Sequence, residues 1–387
     1  MRTYDVAVAG LGTMGSFTCL DLARRGLQVI GLDQFAPPHN RGSHSGDTRV
    51  FRTAYAEHPD YVPLAQRAGE LWDHFSQDFG VQLLTRCGML MVGPPLSQLI
   101  AGTRASVAAH KLQVEELSPD EIRYRFPAFT PPEDHTGIFE ASAGWVDVDA
   151  SIRGALQAAR QQGAEILCDT SIICWKRSGA SILLETTAGT FSVAKLIITV
   201  GAWAGALLRD LQLPLSVQVK TLAWVDPIIP EQFAPGRFPV FAIAERFFYG
   251  FPNIGGKGVK LAVHWENGTV LPDPSNPISQ PGEGELAPIV SMASRYFSGL
   301  TNAPPGGLAS IRRAATCLYT MTPDEHFIVD HHPASEDIWF AAGFSGHGFK
   351  FAPAIAQGLA DLCTSSKTPL PMEFLRIGRR FVTQVIQ

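Results

Sequence analysis

The feature of the sequence that most constrains its fold is a glycine-rich turn near the N-terminus. Residues 4–9 read Y-D-V-A-V-A, which is typical of a short buried strand, and G-L-G-T-M-G follows directly at 10–15. A second buried strand is predicted at 28–32, and Asp33 stands after it. A strand, a Gly-x-Gly-x-x-Gly turn, a helix, a second strand and a terminal acid form the βαβ unit that binds dinucleotides. The sequence therefore predicts a Rossmann-like nucleotide-binding domain.

The three glycines of this turn are predicted to have different roles. Gly10 permits the tight turn, Gly12 lets the backbone approach a pyrophosphate, and Gly15 lets the helix pack closely on the strand. The helix N-terminus offers unpaired N–H groups to the anion, and Asp33 is expected to accept hydrogen bonds from an adenosine ribose. The turn does not separate flavin enzymes from NAD enzymes, because both classes use it.

The rest of the chain indicates a second, β-rich module. Its 387 residues amount to about two to three typical domains. An amphipathic helix is predicted at 63–75, and Asp149 is expected to cap a helix ending at Gly163. Strands at 165–200 return to the nucleotide domain, whereas alternating strands at 217–264, a loop at 271–285 and a helix at 288–297 form the other module. A strand at 338–342 leads into a second glycine-rich loop and helix.

We therefore predict a mixed α/β fold, with a Rossmann-like domain that is discontinuous in sequence and a β-sheet-rich substrate domain. The expected nucleotide-binding segments are 1–80, 145–215 and 318–387, and the expected substrate or catalytic segments are 81–144 and 216–317.

Charge and composition exclude several classes of function. The chain has 36 acidic and 31 basic side chains, a net charge of −5, and no basic cluster of the kind that nucleic-acid binding requires. No apolar stretch approaches the roughly 18 residues of a membrane span, and no signal peptide is recognised. The six cysteines are scattered without metal or redox spacing, and the histidines at 326, 331 and 332 lack a second ligand cluster. We expect a cytoplasmic protein with no metal, membrane or nucleic-acid partner.

Six segments, read in order, indicate the chemistry. They are G-L-G-T-M-G (10–15), G-S-H-S-G-D-T-R-V-F-R (42–52), Y-G-F-P (249–252), G-V-K-L-A-V-H (258–264), C-L-Y-T-M-T-P-D-E-H-F (317–327) and G-F-S-G-H-G-F-K (343–350). Together they resemble the monomeric sarcosine oxidase and N-methyltryptophan oxidase family of FAD-dependent amine oxidoreductases. The resemblance spans nearly the whole chain. It implies a monomeric FAD enzyme that oxidises the C–N bond of a secondary amino acid, such as an N-methyl amino acid, while O2 is reduced to hydrogen peroxide.

The resemblance also implies roles for individual residues. Cys317 matches the cysteine to which the family attaches its flavin through a thioether, and Arg52 and Lys350 are expected to bind the substrate carboxylate. Lys260 is expected near flavin N5, where a positive charge assists O2 reduction. The other implied catalytic residues are Arg49 beside the flavin ring and His264, Tyr249 and Tyr319 around a neutral substrate amine. Because Lys260 and His264 are four residues apart, a strand would place both on one face.

The resemblance implies a wider set of cofactor-binding residues as well. These are Gly10, Gly12, Met14, Gly15, Asp33, Ser43, His44, Thr48, Ile172, Gly201, Cys317, Gly346, His347, Gly348 and Lys350. The sequence departs from the family motif at Ser45 and Thr53, where histidines are common.

Three alternatives stay open at this point. An oxidase of fructosyl amino acids or of cyclic imino acids such as pipecolate would use the same flavin site with a different substrate pocket. A non-catalytic flavoprotein and an NAD-dependent dehydrogenase are the more distant alternatives.

Overall fold

The computed structural model describes residues 2–265, 268–276, 280–301, 308 and 310–381. In chain order, the strands within these ranges are β1 Thr3–Ala9, β2 Val29–Leu32, β3 Thr48–Phe51, β4 Leu84–Arg86, β5 Met89–Gly93, β6 Glu115–Leu117, β7 Thr136–Glu140, β8 Gly144–Asp147, β9 Glu165–Leu167, β10 Ile172–Ser178, β11 Ser181–Thr186, β12 Gly189–Ile198, β13 Ser216–Val225, β14 Val240–Ile243, β15 Phe248–Phe251, β16 Val259–Val263, β17 Thr269–Val270, β18 Ile311–Met321, β19 Ile328–His332 and β20 Ser335–Ala342. The α-helices are α1 Thr13–Arg24, α2 Tyr61–Phe79, α3 Gln98–His110, α4 Pro119–Arg125, α5 Val148–Gln161, α6 Ala204–Leu207, α7 Glu283–Tyr296 and α8 Ala352–Ser365.

The first layer is an eight-stranded sheet built around the N-terminal βαβ unit. Strand β1 lies between β2 and β12, and all three run parallel, as do β9 beside β2 and β20 beside β12. Because the carboxyl ends of parallel strands meet at one edge, the loops after β1, β2, β12 and β20 lie together. The strand–turn–helix–strand prediction for the N-terminus is therefore confirmed.

Helices cover one face of this sheet. Helix α1 packs against α5 and α8, and α2 packs against α8. The large buried aromatic side chains in this layer include Phe17 and Trp72, whose rings meet edge to face with centroids 5.1 Å apart. This apolar layer fixes the position of α1, whose N-terminus points to the loop edge of the sheet.

The second layer is a nine-stranded sheet with the order β17-β13-β16-β15-β14-β5-β7-β6, with β18 also paired to β13. A buried aromatic cluster fills the space on one side of it, including Phe129, Phe238, Phe241 and Phe297. A small three-stranded sheet, β3-β8-β4, adds to these two. The expected mixed α/β fold with a β-rich second module is confirmed.

The domain limits stay a prediction. Strand β18 crosses the expected limit at 317, because its pairing with β13 continues to Met321. Residues 277–279 of the expected loop and 382–387 of the expected C-terminal segment lie outside the described residues. No helix in the described ranges is long and apolar enough to cross a membrane.

Three helices differ from the sequence prediction. Helix α7 begins at Glu283, inside the loop expected at 271–285 and five residues before the predicted start at 288, so Pro288 lies within it. Helix α5 is capped by Asp147, whose Oδ1 accepts a hydrogen bond from Ala150 N at 2.8 Å, so the cap at Asp149 was wrong. Asp149 instead lies in the first turn, where a negative charge still favours the helix dipole. Helix α2 extends beyond the predicted 63–75 at both ends. It begins before Pro63, because proline is tolerated in the first turn of a helix. It ends only at Gly80, which has a φ of +66°.

Candidate active site

The glycine turn after β1 has the geometry that dinucleotide binding requires. Gly10 has a φ of +83°, and a Cβ atom there would lie 2.7 Å from Thr199 O. A Cβ on Gly15 would lie 1.8 Å from Gly10 O, so only glycine allows α1 to pack this closely on the turn. A Cβ on Gly12 would meet only the His44 ring, at 3.5 Å. Gly12 therefore leaves open space where a pyrophosphate would approach the backbone.

Asp33 occupies the expected place at the end of β2. Its Oδ2 accepts a hydrogen bond from Leu11 N at 2.7 Å, and its Oδ1 accepts one from Phe35 N at 2.8 Å. Burial raises the pKa of this carboxyl group, while the two backbone donors act in the opposite direction. Each oxygen keeps a lone pair for a further donor such as a ribose hydroxyl.

A large cavity of about 370 Å³ follows the carboxyl edge of the parallel sheet. Such a volume lies within the common range of cofactor sites, about 300–1,000 Å³. Its walls come from the turn at 10–14, from Asp33, and from the loops after β12 and β20. Thr320 also lines this cavity, and its buried Oγ1 has no hydrogen-bond partner among the described atoms. An unpaired buried hydroxyl and an open glycine turn fit a polar, extended cofactor such as FAD.

A small cavity of about 60 Å³ adjoins the large one. Arg49, Tyr319, Gly346 and Phe349 line both cavities. The Arg49 guanidinium donates to three backbone carbonyls, those of Thr48 at 2.8 Å, Ser43 at 2.7 Å and Ser45 at 2.6 Å. These contacts fix its charge at the junction of the two cavities, so a molecule in the small cavity would meet a cofactor there.

Arg52 lies at the wall of the small cavity and forms a buried ion pair. Its Nη2 donates to both carboxylate oxygens of Glu57, at 2.7 and 2.6 Å, and its guanidinium lies 4.4 Å from the centre of the Tyr55 ring. Burial alone would raise the pKa of Glu57, but the positive charge of Arg52, aided by His347 and Lys350, outweighs it and holds that pKa at about 2. Arg52 is therefore paired with an internal carboxylate in this structure.

Lys350 supplies a second cation to the small cavity. Its Nζ donates to His347 O at 2.7 Å and to Tyr55 Oη at 3.4 Å. Burial, together with the charge of Arg52, lowers the pKa of Lys350 to about 7. His347 Nε2 lies 2.9 Å from Glu325 O, which can only accept, so Nε2 carries the hydrogen and Nδ1 accepts one from Tyr55 Oη.

Three uncharged polar side chains, those of Tyr319, His264 and Tyr249, form another part of the wall. Tyr319 Oη lies 3.3 Å from His264 Nδ1 and 3.4 Å from Tyr249 Oη. Burial lowers the pKa of His264 to about 3, so the imidazole is neutral at physiological pH. This wall can hold a neutral amine by hydrogen bonds, while Arg52 and Lys350 can hold a carboxylate.

Lys260 does not share the small cavity with His264. Its buried Nζ donates to Gly46 O, to Thr48 O at 2.8 Å and to Thr48 Oγ1 at 3.4 Å, and among the described residues it lines neither cavity. Burial lowers the pKa of Lys260, whereas three oxygen acceptors suit an ammonium group with three donors. The two side chains still lie on one face of β16 and its continuation. Ala262 between them packs with Trp224 and Tyr319, which contact Lys260 and His264 respectively, whereas Val259, Leu261 and Val263 pack in the aromatic cluster on the other face.

Cys317 is buried on β18, opposite Lys220 of β13. Burial raises the pKa of its thiol, while Arg49 and Lys260 act in the opposite direction. Cys317 itself does not line the large cavity, although Tyr319 and Thr320 on the same strand do. Ser45 Oγ donates to Thr316 O at 2.5 Å and so ties the loop before Arg49 to this strand.

The other expected cofactor residues divide into two groups. The large cavity is lined by Gly10, Gly12, Met14, Asp33, Ser43, His44, Ile172, Gly201, Gly346 and Gly348. It is not lined by Gly15, Thr48, Cys317, His347 or Lys350, of which His347 and Lys350 line the small cavity instead. Thr53, where the family commonly has histidine, lines neither cavity and donates to Glu140 Oε1 at 2.5 Å.

Several residues of the small cavity were not found from the sequence. Glu57 follows Arg52 by five positions, so an acid beside a basic motif was the available signal. Met89 comes from β5 in a distant part of the chain and carried no signal. Phe247 also lines this cavity.

The sequence of the chain was compared with protein families and with known proteins. Residues 5–362 match the family described as FAD dependent oxidoreductase. The chain is 35% identical to monomeric sarcosine oxidase of Bacillus sp. (strain B-0618), covering 99% of this chain and 98% of that one. It is 31% identical to N-methyl-L-tryptophan oxidase of Yersinia pestis (strain Pestoides F), covering 97% and 99%.

Solved structures share the fold at lower identity. NikD, an unusual amino acid oxidase essential for nikkomycin biosynthesis, superposes in its open form with a TM-score of 0.82 at 23% identity, covering 97% of this chain and 98% of that one. Glycine oxidase from Geobacillus kaustophilus gives a TM-score of 0.80 at 19% identity, covering 98% and 100%. The family match over nearly the whole chain and the cavity at its glycine turn agree: the chain belongs to the FAD-dependent oxidoreductase family.

Proposed function

We propose that this protein is an FAD-dependent oxidase of N-methyl amino acids of the sarcosine oxidase type, with O2 as the electron acceptor and hydrogen peroxide as a product. The observation that carries the proposal is the small cavity itself. It joins two cations, Arg52 and Lys350, to a neutral histidine, and it opens on the large cavity at Arg49. The two cations can bind a carboxylate, and the neutral polar side chains can bind a secondary amine.

FAD, when bound in the large cavity, supplies the oxidising chemistry by taking up two electrons from the substrate C–N bond and passing them to O2. The glycine turn, Asp33 and Thr320 would hold it. The protein side chains orient the substrate by its carboxylate, and burial together with the positive charges of Arg52 and Lys350 disfavours protonation of its nitrogen. A neutral His264, with a pKa of about 3, can accept a hydrogen bond from the amine N–H.

Lys260 and Arg49 have an electrostatic role in this proposal. Both donate to Thr48 O, and Arg49 lines both cavities, so Lys260 lies one shared acceptor away from the cavity junction. Fixed charges in a buried site stabilise negative charge that develops on O2.

The family resemblance supports Cys317 as the covalent attachment point for the flavin. The intact mass of the purified protein is expected to exceed the sequence mass by about one FAD. Cys317→Ser should remove this increment, and a mass increment that persists in the variant would exclude Cys317.

A monomer is supported by the bacterial relative named monomeric sarcosine oxidase. A cytoplasmic location is supported by six cysteines that form no disulfide in the described structure.

A fructosyl amino acid would have to extend out of the small cavity, whose volume is about 60 Å³. Membership of an FAD family disfavours a nicotinamide cofactor. A panel of candidate substrates that includes pipecolate distinguishes an oxidase of cyclic imino acids from an oxidase of N-methyl amino acids.

The substrate class is tested through the carboxylate. Arg52→Ala should weaken binding of an N-methyl amino acid analogue by roughly 2–5 kcal/mol, because a buried charge-assisted contact is lost. The decarboxylated amine should bind poorly to the parent and lose little more in the variant. The four dissociation constants form a double-mutant cycle, and a coupling energy near zero would exclude Arg52 as a carboxylate ligand.

A further inference from the structure

Two successive residues beside the small cavity have a left-handed backbone. Arg246 has a φ of +56° and Phe247 a φ of +48°. A non-glycine residue rarely adopts this conformation, and for a bulky side chain it persists only where the surroundings impose it. Such positions cluster at ligand sites, so the turn at 245–247 is a candidate for a functional constraint.

The surroundings hold this turn from both sides. Trp265 N donates to Arg246 O at 3.0 Å, and His264 N donates to Phe247 O at 3.1 Å. On the other side, Glu245 accepts a hydrogen bond from Tyr296 Oη at 2.8 Å. The backbone of Phe247 is therefore anchored to the segment that follows β16 and, through Glu245, to helix α7.

This anchoring aims the Phe247 ring into the small cavity. The ring centre lies 5.1 Å from that of His264, and the Arg52 guanidinium lies 5.9 Å from it. Phe247 thus lies close both to the group proposed to hold the amine and to a group proposed to hold the carboxylate. The α-carbon of an amino acid lies between its nitrogen and its carboxylate, so an α-substituent would compete with the Phe247 ring for space.

The cavity volume agrees with this placement. A space of about 60 Å³ accommodates roughly four to six water-sized groups. This is close to the number of non-hydrogen atoms in sarcosine. An N-methyl amino acid with an aromatic side chain would need the space that Phe247 fills, and the packing of the ring against His264 and Trp265, each with its ring centre 5.1 Å away, restrains it from turning aside.

We propose that Phe247 is a specificity-determining residue that closes the small cavity over the substrate α-carbon and restricts the enzyme to N-methyl amino acids with little or no side chain. This inference rests on the proposed function, because it takes the amine and carboxylate positions from it. It adds a residue and a size limit that the family match does not supply.

The test enlarges the cavity in two steps. Phe247→Leu and Phe247→Ala are compared with Phe241→Leu, which makes the same change in the aromatic cluster on β14, where the side chain lines neither cavity. Two readouts are measured. One is kcat/KM for sarcosine and for N-methylphenylalanine. The other is the dissociation constant of two amine-free ligands, (methylthio)acetate and its α-benzyl derivative, taken from thermal-shift titrations.

Phe247→Ala is expected to raise the ratio of kcat/KM for N-methylphenylalanine to that for sarcosine by about a hundredfold or more, with Phe247→Leu between parent and Ala. The α-benzyl ligand should gain affinity in the same order, and Phe241→Leu should leave both ratios at the parent value. Unchanged ratios in Phe247→Ala, or a parent that already prefers the aromatic substrate, would overturn the proposal. If Phe247→Ala fails to fold, the milder Leu variant decides by the same ratios.

The two proposals fail differently in this experiment. If the parent oxidises neither amino acid, the proposed function fails, and the ligand affinities still show whether Phe247 limits size. If the parent oxidises sarcosine but the ratios do not respond to Phe247, only the size limit fails.

Discussion

The buried ion pair between Arg52 and Glu57 leads to the most detailed prediction, the effect of Glu57→Gln. Both oxygens of Glu57 accept from Arg52, at 2.7 and 2.6 Å, and the two side chains are only 3% and 9% exposed. Removing one partner of a buried pair leaves the other charge uncompensated, which costs about 3–5 kcal/mol. For a chain of 387 residues, this cost corresponds to a fall in Tm of roughly 4–6 °C.

The same change should strengthen the binding of a carboxylate. In the parent, a ligand must compete with Glu57 for the Arg52 guanidinium, whereas in the variant the guanidinium has no internal partner of opposite charge. If the ligand recovers about 2 kcal/mol of the lost interaction, its affinity rises roughly thirtyfold. Glu57 also raises the pKa of Lys350, so Glu57→Gln lowers that pKa. The comparison is therefore repeated at decreasing pH below 7 until the affinity of the variant levels off, where Lys350 is protonated in both proteins.

The assay is thermal unfolding of parent and variant, with and without (methylthio)acetate. Glu116→Gln serves as the matched control, because Glu116 pairs with Arg104 at 2.7 Å on the surface and such exposed pairs contribute about 0–1 kcal/mol. The reasoning is refuted if Glu57→Gln lowers Tm no more than the control does, or if the ligand binds the variant no more tightly than the parent.

Three further predictions follow from the site. Lys260→Met should slow flavin reoxidation by O2 roughly a hundredfold, since one fixed electrostatic contact is worth on the order of 3 kcal/mol. Stopped-flow traces that show equal slowing of anaerobic flavin reduction would contradict a role of Lys260 in the reaction with O2. Gly15→Ala should abolish FAD retention, because its Cβ would lie 1.8 Å from Gly10 O, whereas Gly205→Ala, with open space around it, should keep the flavin absorbance. Lys350 has a pKa of about 7 and therefore carries its positive charge only below that pH. Affinity for (methylthio)acetate should be full below pH 7 and should fall by up to about tenfold per pH unit above it. Lys350→Met should abolish this dependence on pH.

The part of the fold that the sequence predicted well is local in the chain. The βαβ unit is set by residues 4–33, where the glycine turn, the helix and Asp33 follow one another and each constrains the next. The choice of Asp149 over Asp147 failed because two acids two residues apart have equal capping propensity, and only the backbone geometry selects one.

The small cavity could be predicted only in part, because its walls are assembled over long distances in the chain. Tyr55 hydrogen-bonds to His347, 292 residues away, and Lys260 to Thr48, 212 residues away. Strand periodicity indicates the face on which Lys260 lies, but it does not show that the loop at 46–48 covers that face. Likewise, no pattern showed that Phe247 adopts a left-handed backbone, since glycine and asparagine are the usual residues there.

The central claim is that the two walls of the small cavity select an N-methyl amino acid for oxidation at the cavity junction. The most direct measurement mixes the purified yellow protein with sarcosine without oxygen, records the visible flavin absorbance, and then admits O2. The account predicts bleaching by sarcosine but not by dimethylamine, which lacks the carboxylate, followed by recovery of the absorbance and formation of hydrogen peroxide equal to the O2 consumed. Bleaching by dimethylamine as efficient as by sarcosine, or a flavin that sarcosine does not reduce, would contradict it.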